Sequence, residues 1–234
     1  AVGTDDRTVA ESRFNLGYLY LVLGDIDGSR ASFEAALAIW SEDGDGSLGD
    51  RAAALLGLAR VAEQGKDLDL AMERATESLS LRLRASDPDL LDITELKVTM
   101  ARLQRRRNKL AEAESLYNEA LQDLREGGHG TSPMTATILN NLAVVQWQRG
   151  AWTDAEPMYR ESLSLRRRFY PEGHSEIGKT LLGLGSVLEK QDKYLDAEPH
   201  LREAVEIFQK RDGSDEPNVA NASAVLGRVL CALD

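Results

Sequence analysis

Apolar residues along this chain recur three and four positions apart, the spacing of helices with one buried stripe. The pattern also repeats at a longer distance. Stepping back by 42 residues from Ala197 reaches Ala155, Ala113, Ala71 and Ser29, all small. Four residues beyond each anchor stand Phe33, Ala75, Tyr117, Tyr159 and Leu201. Seven beyond come Ala36, Ser78, Ala120, Ser162 and Ala204, and eight beyond come Leu37, Leu79, Leu121, Leu163 and Val205. Upstream, Leu16, Leu58, Met100, Leu142 and Leu184 share one column, and Gly17, Ala59, Ala101, Ala143 and Gly185 the next. Small columns let helices approach closely, and the large columns beside them fill the grooves.

Each period reads as two helices. A short break follows the first: LGDID at 23–27, QGKDL at 64–68, RNKL at 107–110, RGAW at 149–152 and QDKY at 191–194. A polar turn with Gly, Pro or Asp closes each repeat: EDGDGSLGD, ASDPDLLD, EGGHGTSP, FYPEGHSE and RDGSDEPN. The reading is one array of five 42-residue repeats, about 10–51, 52–93, 94–135, 136–177 and 178–219, ended by a capping helix at 220–234. The phrase DAEP occurs at 154–157 and 196–199, so proline falls twice inside a helical pattern. If Thr153 caps its helix, Pro157 lies near the fourth position, where a missing N–H costs little. The same register makes Leu195 the cap before Pro199.

These columns resemble the tetratricopeptide repeat family, whose LG…Y…A…F/Y…A pattern covers nearly the whole chain. The long period, the AEP phrases and LNNLA at 139–143 look most like its kinesin-light-chain-type branch. The chain departs from that pattern at Gln104 and Gln146, where the family prefers a large aromatic, and at Ala75. The resemblance implies an all-α, right-handed superhelix of antiparallel helix pairs whose first helices line a concave surface.

The register then assigns that surface. Its expected binding residues are Asn15, Tyr18, Arg60, Arg102, Arg106, Asn141, Val144, Trp147, Lys179 and Ser186. Glu63, Glu95, Arg105, Glu189, Lys190 and Arg228 face the same way. The middle of the surface is arginine-rich. Guanidinium forks pair with carboxylates and asparagine amides with a peptide backbone, so the expected occupant is a peptide or protein carrying Asp or Glu. Some members of the family clamp a C-terminal carboxylate with Lys and Asn on successive first helices. Asn141 and Lys179 match two such places, but Val98, Arg102 and Gly183 hold the others.

Composition narrows the picture further. A net charge of −11 argues against general affinity for nucleic acid or anionic membrane. No apolar run is long enough to span a bilayer. The chain opens on Ala1 and shows no leader, which fits an excised domain or a processed product. Cys231 is the single cysteine, which favours a reducing, cytoplasmic setting, and its expected place is a buried helix face. His129, His174 and His200 lack partners at ligand spacing, so no metal or other cofactor is expected. DIDG at 25–28 and DGDG at 43–46 fail the calcium-loop pattern and read as turns. No G-x-S-x-G motif occurs.

The sequence therefore points to a non-enzymatic interaction scaffold. An alternative is a sensor or regulatory module of a larger signalling protein, such as a nucleotide-switch ATPase, a kinase or a transcription regulator. A third reading is self-association through the C-terminal helix, whose Val225, Leu226, Val229, Leu230 and Leu233 read as an apolar face.

Overall fold

In the computed structural model, which describes residues 4–86, 88–212 and 217–234, the interhelical turns repeat almost atom for atom. Gly24, Lys66, Asn108, Gly150 and Asp192 each take a positive φ, between 58° and 80°. They stand one period apart. The next amide in each case bonds five residues back: Asp25 to Tyr20, Asp67 to Ala62, Lys109 to Gln104, Ala151 to Gln146 and Lys193 to Leu188. This left-handed helix end closes the last orphan carbonyls and turns the chain sharply. Asp25 and Asp67 then cap the helices that follow, accepting from the amides of Gly28 and Leu70.

The described residues form all-α helix pairs. The chain divides into two compact units, 1–123 and 124–234. The first contains α1 (Thr4–Leu23), α2 (Ile26–Ser41), a short 3-10 turn (Gly44–Ser47), α3 (Leu48–Gln64), α4 (Leu68–Arg84) and α5 (Leu90–Arg106), with most of α6 (Leu110–Glu126). The second contains α7 (Pro133–Gln148), α8 (Trp152–Phe169), α9 (Ser175–Lys190), α10 (Tyr194–Asp212) and α11 (Pro217–Leu233). Odd-numbered helices are the first helices of the repeats, even-numbered ones the second. Residues 213–216 of the closing segment RDGSDEPN, and Asp87 in ASDPDLLD, lie outside the described residues.

Packing follows the columns. In the first unit the Phe33 ring of α2 lies on Gly17 and Gly57, where a Cβ would come within 2.7 Å of it. In the second unit the Tyr159 ring lies on Gly183 and the Leu201 side chain on Gly185, each leaving 2.5 Å for a Cβ. Glycine is required at these four places because a methyl group would have to displace the large residue. Phe14, Tyr18 and Phe33 meet edge to face, with centroids 5.0–5.7 Å apart.

Two further contacts recur two periods apart, once in each unit. Ser78 donates to the carbonyl of Ala52 and Ser162 to that of Ala136, at 2.6 and 2.7 Å. Arg82 pairs with Asp92 at 2.8 Å, and Arg166 with Glu176 at 2.7 Å. Each pair ties the end of a second helix to the first turn of the next repeat. Arg166 is buried and also donates to Thr180 and the Glu176 carbonyl.

Three expectations need correction. The cap of α8 is Ala151, not Thr153, so Pro157 is the sixth residue of the helix and lies inside it. The next proline follows suit, because α10 starts at Tyr194, before Leu195. Each proline leaves one carbonyl four residues back without its usual helix partner. Cys231 is exposed, not buried. In α11, Val225 and Val229 are buried in the core of the second unit and Leu226 and Leu230 are half-buried, so of the five apolar residues only Leu233 is exposed.

Candidate functional site

The first-helix face of the first unit carries charges that satisfy one another. Arg60 on α3 forms an ion pair with Glu95 on α5. Its guanidinium lies 5.7 Å from the centre of the Tyr18 ring and donates to the Tyr18 hydroxyl at 3.5 Å. Burial pushes the Tyr18 phenol above its usual range, and the Arg60 charge offsets part of that. One turn along, the Glu63 carboxylate accepts from both Arg102 and Arg106, the latter at 2.8 Å. Only 10% of the Glu63 side chain is exposed, so two guanidiniums hold a nearly buried carboxylate. Behind them lies Tyr117, fully buried, its phenol pushed up to about 12 chiefly by burial. The arginines offered to an acidic partner are therefore already engaged by carboxylates of the same face.

Three periods on, the second unit repeats half of this arrangement. Arg228 on α11 and Glu189 on α9 stand where Arg102 and Glu63 stand in the first unit, and pair at 2.6 Å. Hydrogen bonding from Arg228 holds the Glu189 carboxyl below its usual range. Between α7 and α9, however, the columns change. Val144 and Ser186 occupy the Arg60 and Arg102 column, and Trp147 the Glu63 column. No charge bridge can form there.

The result is a cleft of about 470 Å³. Its apolar wall is Val144, Trp147, Tyr159, Leu182 and Val225; Asn140, Ser186 and Asn221 supply amide and hydroxyl groups. Lys179, Lys190 and Arg228 line the cleft beside Glu189; Glu189 engages Lys190 at 3.8 Å and Arg228 at 2.6 Å, and Glu176 engages Lys179. Trp147 is 41% exposed despite its size. Lys179 reaches Glu176 at 2.7 Å while remaining half exposed. A large apolar surface beside excess positive charge suits a ligand that pairs an apolar side chain with an acid.

Of the expected binding residues, Val144, Trp147, Lys179 and Ser186 thus line one cleft. Tyr18 and Arg60 meet on the first unit, and Arg102 and Arg106 share Glu63. Asn15 is exposed on α1, apart from these contacts. Asn141 is half-buried, and its neighbour Asn140 lines the cleft in its place, its side-chain amide oxygen Oδ1 accepting from the Thr180 hydroxyl at 3.2 Å. The register missed Asn140 and Leu182 by one helical position, a 100° error that the column pattern alone cannot correct.

The remaining candidates have structural roles. His174 caps α9 through Nδ1 and stacks on Tyr170 at 4.3 Å. His129 is exposed in a turn. His200 is half-buried, and burial pulls its imidazole down. Among the described residues no three His, Cys, Asp or Glu side chains group as metal ligands. No helix among them is long and apolar enough to cross a membrane.

Comparison with known proteins places these features. The model of the family described as "Tetratricopeptide repeat" matches residues 8–84, 92–168 and 176–234. No curated protein matches the chain. Among solved structures it is similar to BtubC (BKLC) from P. vanneervenii, with 22% identity and a TM-score of 0.77 over 89% of this chain and 84% of that one. It is similar to the putative kinesin light chain repeats of Podosopora anserina, with 14% identity and a TM-score of 0.69 over 88% and 98% of the two chains. It also resembles the Rap conjugation gene regulator of plasmid pLS20, solved in complex with the Phr* peptide. Identity there is 16% and the TM-score 0.71, over 94% of this chain and 61% of the regulator.

Proposed function

Because the chain belongs to the tetratricopeptide repeat family, we infer that it is a protein-interaction module, and that its receptor surface is the cleft between α7, α9 and α11. The observation that carries this is Trp147. It is a large side chain left open among Val144, Leu182 and Val225 in a column where the first unit places Glu63. Exposed tryptophan in an apolar pocket is a characteristic binding anchor. Lys179, Lys190 and Arg228 favour an acidic residue next to the anchoring side chain, and Asn221 and Ser186 can pair with its backbone. The occupant is therefore a short peptide segment that combines an apolar residue with Asp or Glu. The similarity to a regulator solved with a peptide supports this class of ligand. The mechanism is complementarity of shape and charge, and the protein acts as a scaffold without chemistry of its own, in a cytoplasmic setting.

A second reading makes the same cleft the sensing surface of a larger regulatory protein. It is favoured by the match to the Rap regulator, of which this fold spans only 61%.

Selection from a displayed random peptide library tests the proposal. Peptides enriched on the wild-type chain should pair an apolar residue with an acid, and should fail to bind Trp147→Ala. Peptides that bind Trp147→Ala equally well would remove the cleft from consideration.

A further inference from the structure

Arg166 does not line the cleft, and only 2% of its side chain is exposed. Its guanidinium nevertheless touches two residues that reach it. Nη1 donates to the Thr180 hydroxyl and to the Glu176 carbonyl, each at 2.5 Å, and Nη2 pairs with Oε2 of Glu176 at 2.7 Å. The other carboxylate oxygen of Glu176, Oε1, holds Lys179 at 2.7 Å. The Thr180 hydroxyl lies 3.2 Å from Oδ1 of Asn140. Lys179 and Asn140 both line the cleft.

Protons and lone pairs fix the direction of this chain. Arginine only donates, so the Thr180 oxygen receives from Nη1 and has one proton left to give. The Glu176 carbonyl lies within reach at 3.0 Å, but it is already used twice, by Arg166 and by the helical amide four residues on. The Thr180 proton therefore goes to Oδ1 of Asn140. That amide is set with its oxygen inward and Nδ2 free for the cleft. Among the described residues no acceptor takes Nδ2.

Two periods earlier the same columns hold Arg82, Asp92, Leu96 and Leu56. Arg82 keeps its carboxylate, but neither leucine can carry a proton further. Tying one repeat to the next needs only the pair that both units keep. The hydroxyl and the amide occur in the unit that has the cleft.

We propose that Arg166 is a positioning residue for the cleft: through Thr180 it fixes the Asn140 amide as a donor, and through Glu176 it holds Lys179. Both cleft residues then only donate. Their site takes an oxygen acceptor, a backbone carbonyl or a carboxylate, and rejects a group that can only donate. An unfixed asparagine would match either. The proposal rests on the cleft being the peptide receptor.

Two variants of the whole chain test it. Thr180→Val keeps the branched shape and loses the hydroxyl, while Thr180→Ser keeps the hydroxyl. Cooperative thermal unfolding shows that each folds. Without ligand, the side-chain carbonyl carbon-13 resonance of Asn140 should move upfield in Thr180→Val, as a carbonyl that loses a donor does, and stay in place in Thr180→Ser. An unmoved resonance in Thr180→Val would overturn the proposal. With a library-selected acidic-apolar peptide, Thr180→Val should weaken binding about tenfold. That loss should vanish on an Asn140→Ala background. An equal loss in both backgrounds would reduce Thr180 to packing and overturn it too. Replacing the acid of the peptide with alanine separates the two acceptors. A Thr180→Val penalty that then disappears assigns the carboxylate, and one that persists assigns a backbone carbonyl. A peptide that binds Trp147→Ala as well as wild type would sink the receptor reading instead, and the Asn140 resonance would still decide the relay.

Discussion

The first-helix faces of the two units are built on the same columns and finish differently. In the first unit Arg60, Arg102 and Arg106 are drawn onto Glu95 and Glu63, so the face is locked by its own ion pairs. In the second unit one such bridge survives, Arg228 to Glu189. Beside it Val144, Trp147 and Ser186 replace the charged residues and leave a cleft. A column of charges stiffens neighbouring repeats. A column that swaps a carboxylate for tryptophan gives up one bridge and gains a surface for a partner. Arginine on a binding-type face is therefore poor evidence of a binding site until its own carboxylates are located.

The largest expected effect comes from Glu63→Ala, which strands Arg102 and Arg106 beside a nearly buried site. Removing one partner of a buried pair costs ~3–5 kcal/mol. With both arginines about a third exposed, screening reduces the loss to about 2 kcal/mol. Glu189→Ala should cost less, because Arg228 is more than half exposed. Urea denaturation followed by circular dichroism ranks the two, and a larger loss at Glu189 would break the comparison.

Next is a pair of substitutions that should separate stability from binding. Trp147→Ala should weaken a selected peptide by roughly 2 kcal/mol, on the order of 30-fold. Its effect on folding should be less than about 0.5 kcal/mol, since Trp147 is a surface residue. Arg60→Met should do the reverse. It keeps the stem over Tyr18 but loses the Glu95 pair, costing up to about 1 kcal/mol of stability. Peptide affinity should be unaltered by calorimetry. A binding loss at Arg60 would return the site to the first unit.

Lys66→Gly has a smaller effect, in the opposite direction. Lys66 holds φ at 66°, where Gly24 and Gly150 serve the same turn. Relief of the left-handed strain of about 1–2 kcal/mol, set against the extra freedom of an unfolded glycine, should raise stability by about 0.5 kcal/mol. The melting temperature reads this.

Smallest is an acid dependence in the second unit. Arg228 holds the Glu189 carboxyl low. Burial raises the Glu176 carboxyl, but hydrogen bonding from Lys179 and the charge of Arg166 more than reverse that. Both folded values lie below the ordinary ones. Their stabilisation is present above the usual carboxylate range and lost as pH falls through the lowered values. Neutralising Glu189 to Gln should flatten that loss in thermal unfolding between neutral pH and acid.

The repeat was legible because it rests on local spacing. The positive-φ turns at Gly24, Lys66, Asn108, Gly150 and Asp192 fall in the breaks read from composition. Val144, Trp147, Lys179 and Ser186 came from the same columns. The pairing of Arg102 with Glu63, 39 residues away, was not legible, because it depends on how adjacent first helices are spaced. Asn140 was passed over for Asn141 because one residue is a third of a turn. The helix starts before Pro157 and Pro199 were placed too late; at α8 the cap is Ala151, which offers no capping side chain for a sequence reading to find. Cys231 and the α11 face were misjudged together. Hydrophobicity reports what a helix can bury, while burial depends on which neighbouring helix is present.

The most direct measurement is a nitrogen-15 shift map of the labelled chain titrated with a selected acidic-apolar peptide. The account predicts saturable shifts centred on Trp147, Ser186 and Asn221, with α1 to α5 almost silent. Shifts centred instead on Tyr18, Arg60 and Arg102 would contradict it and make the self-paired face of the first unit the receptor.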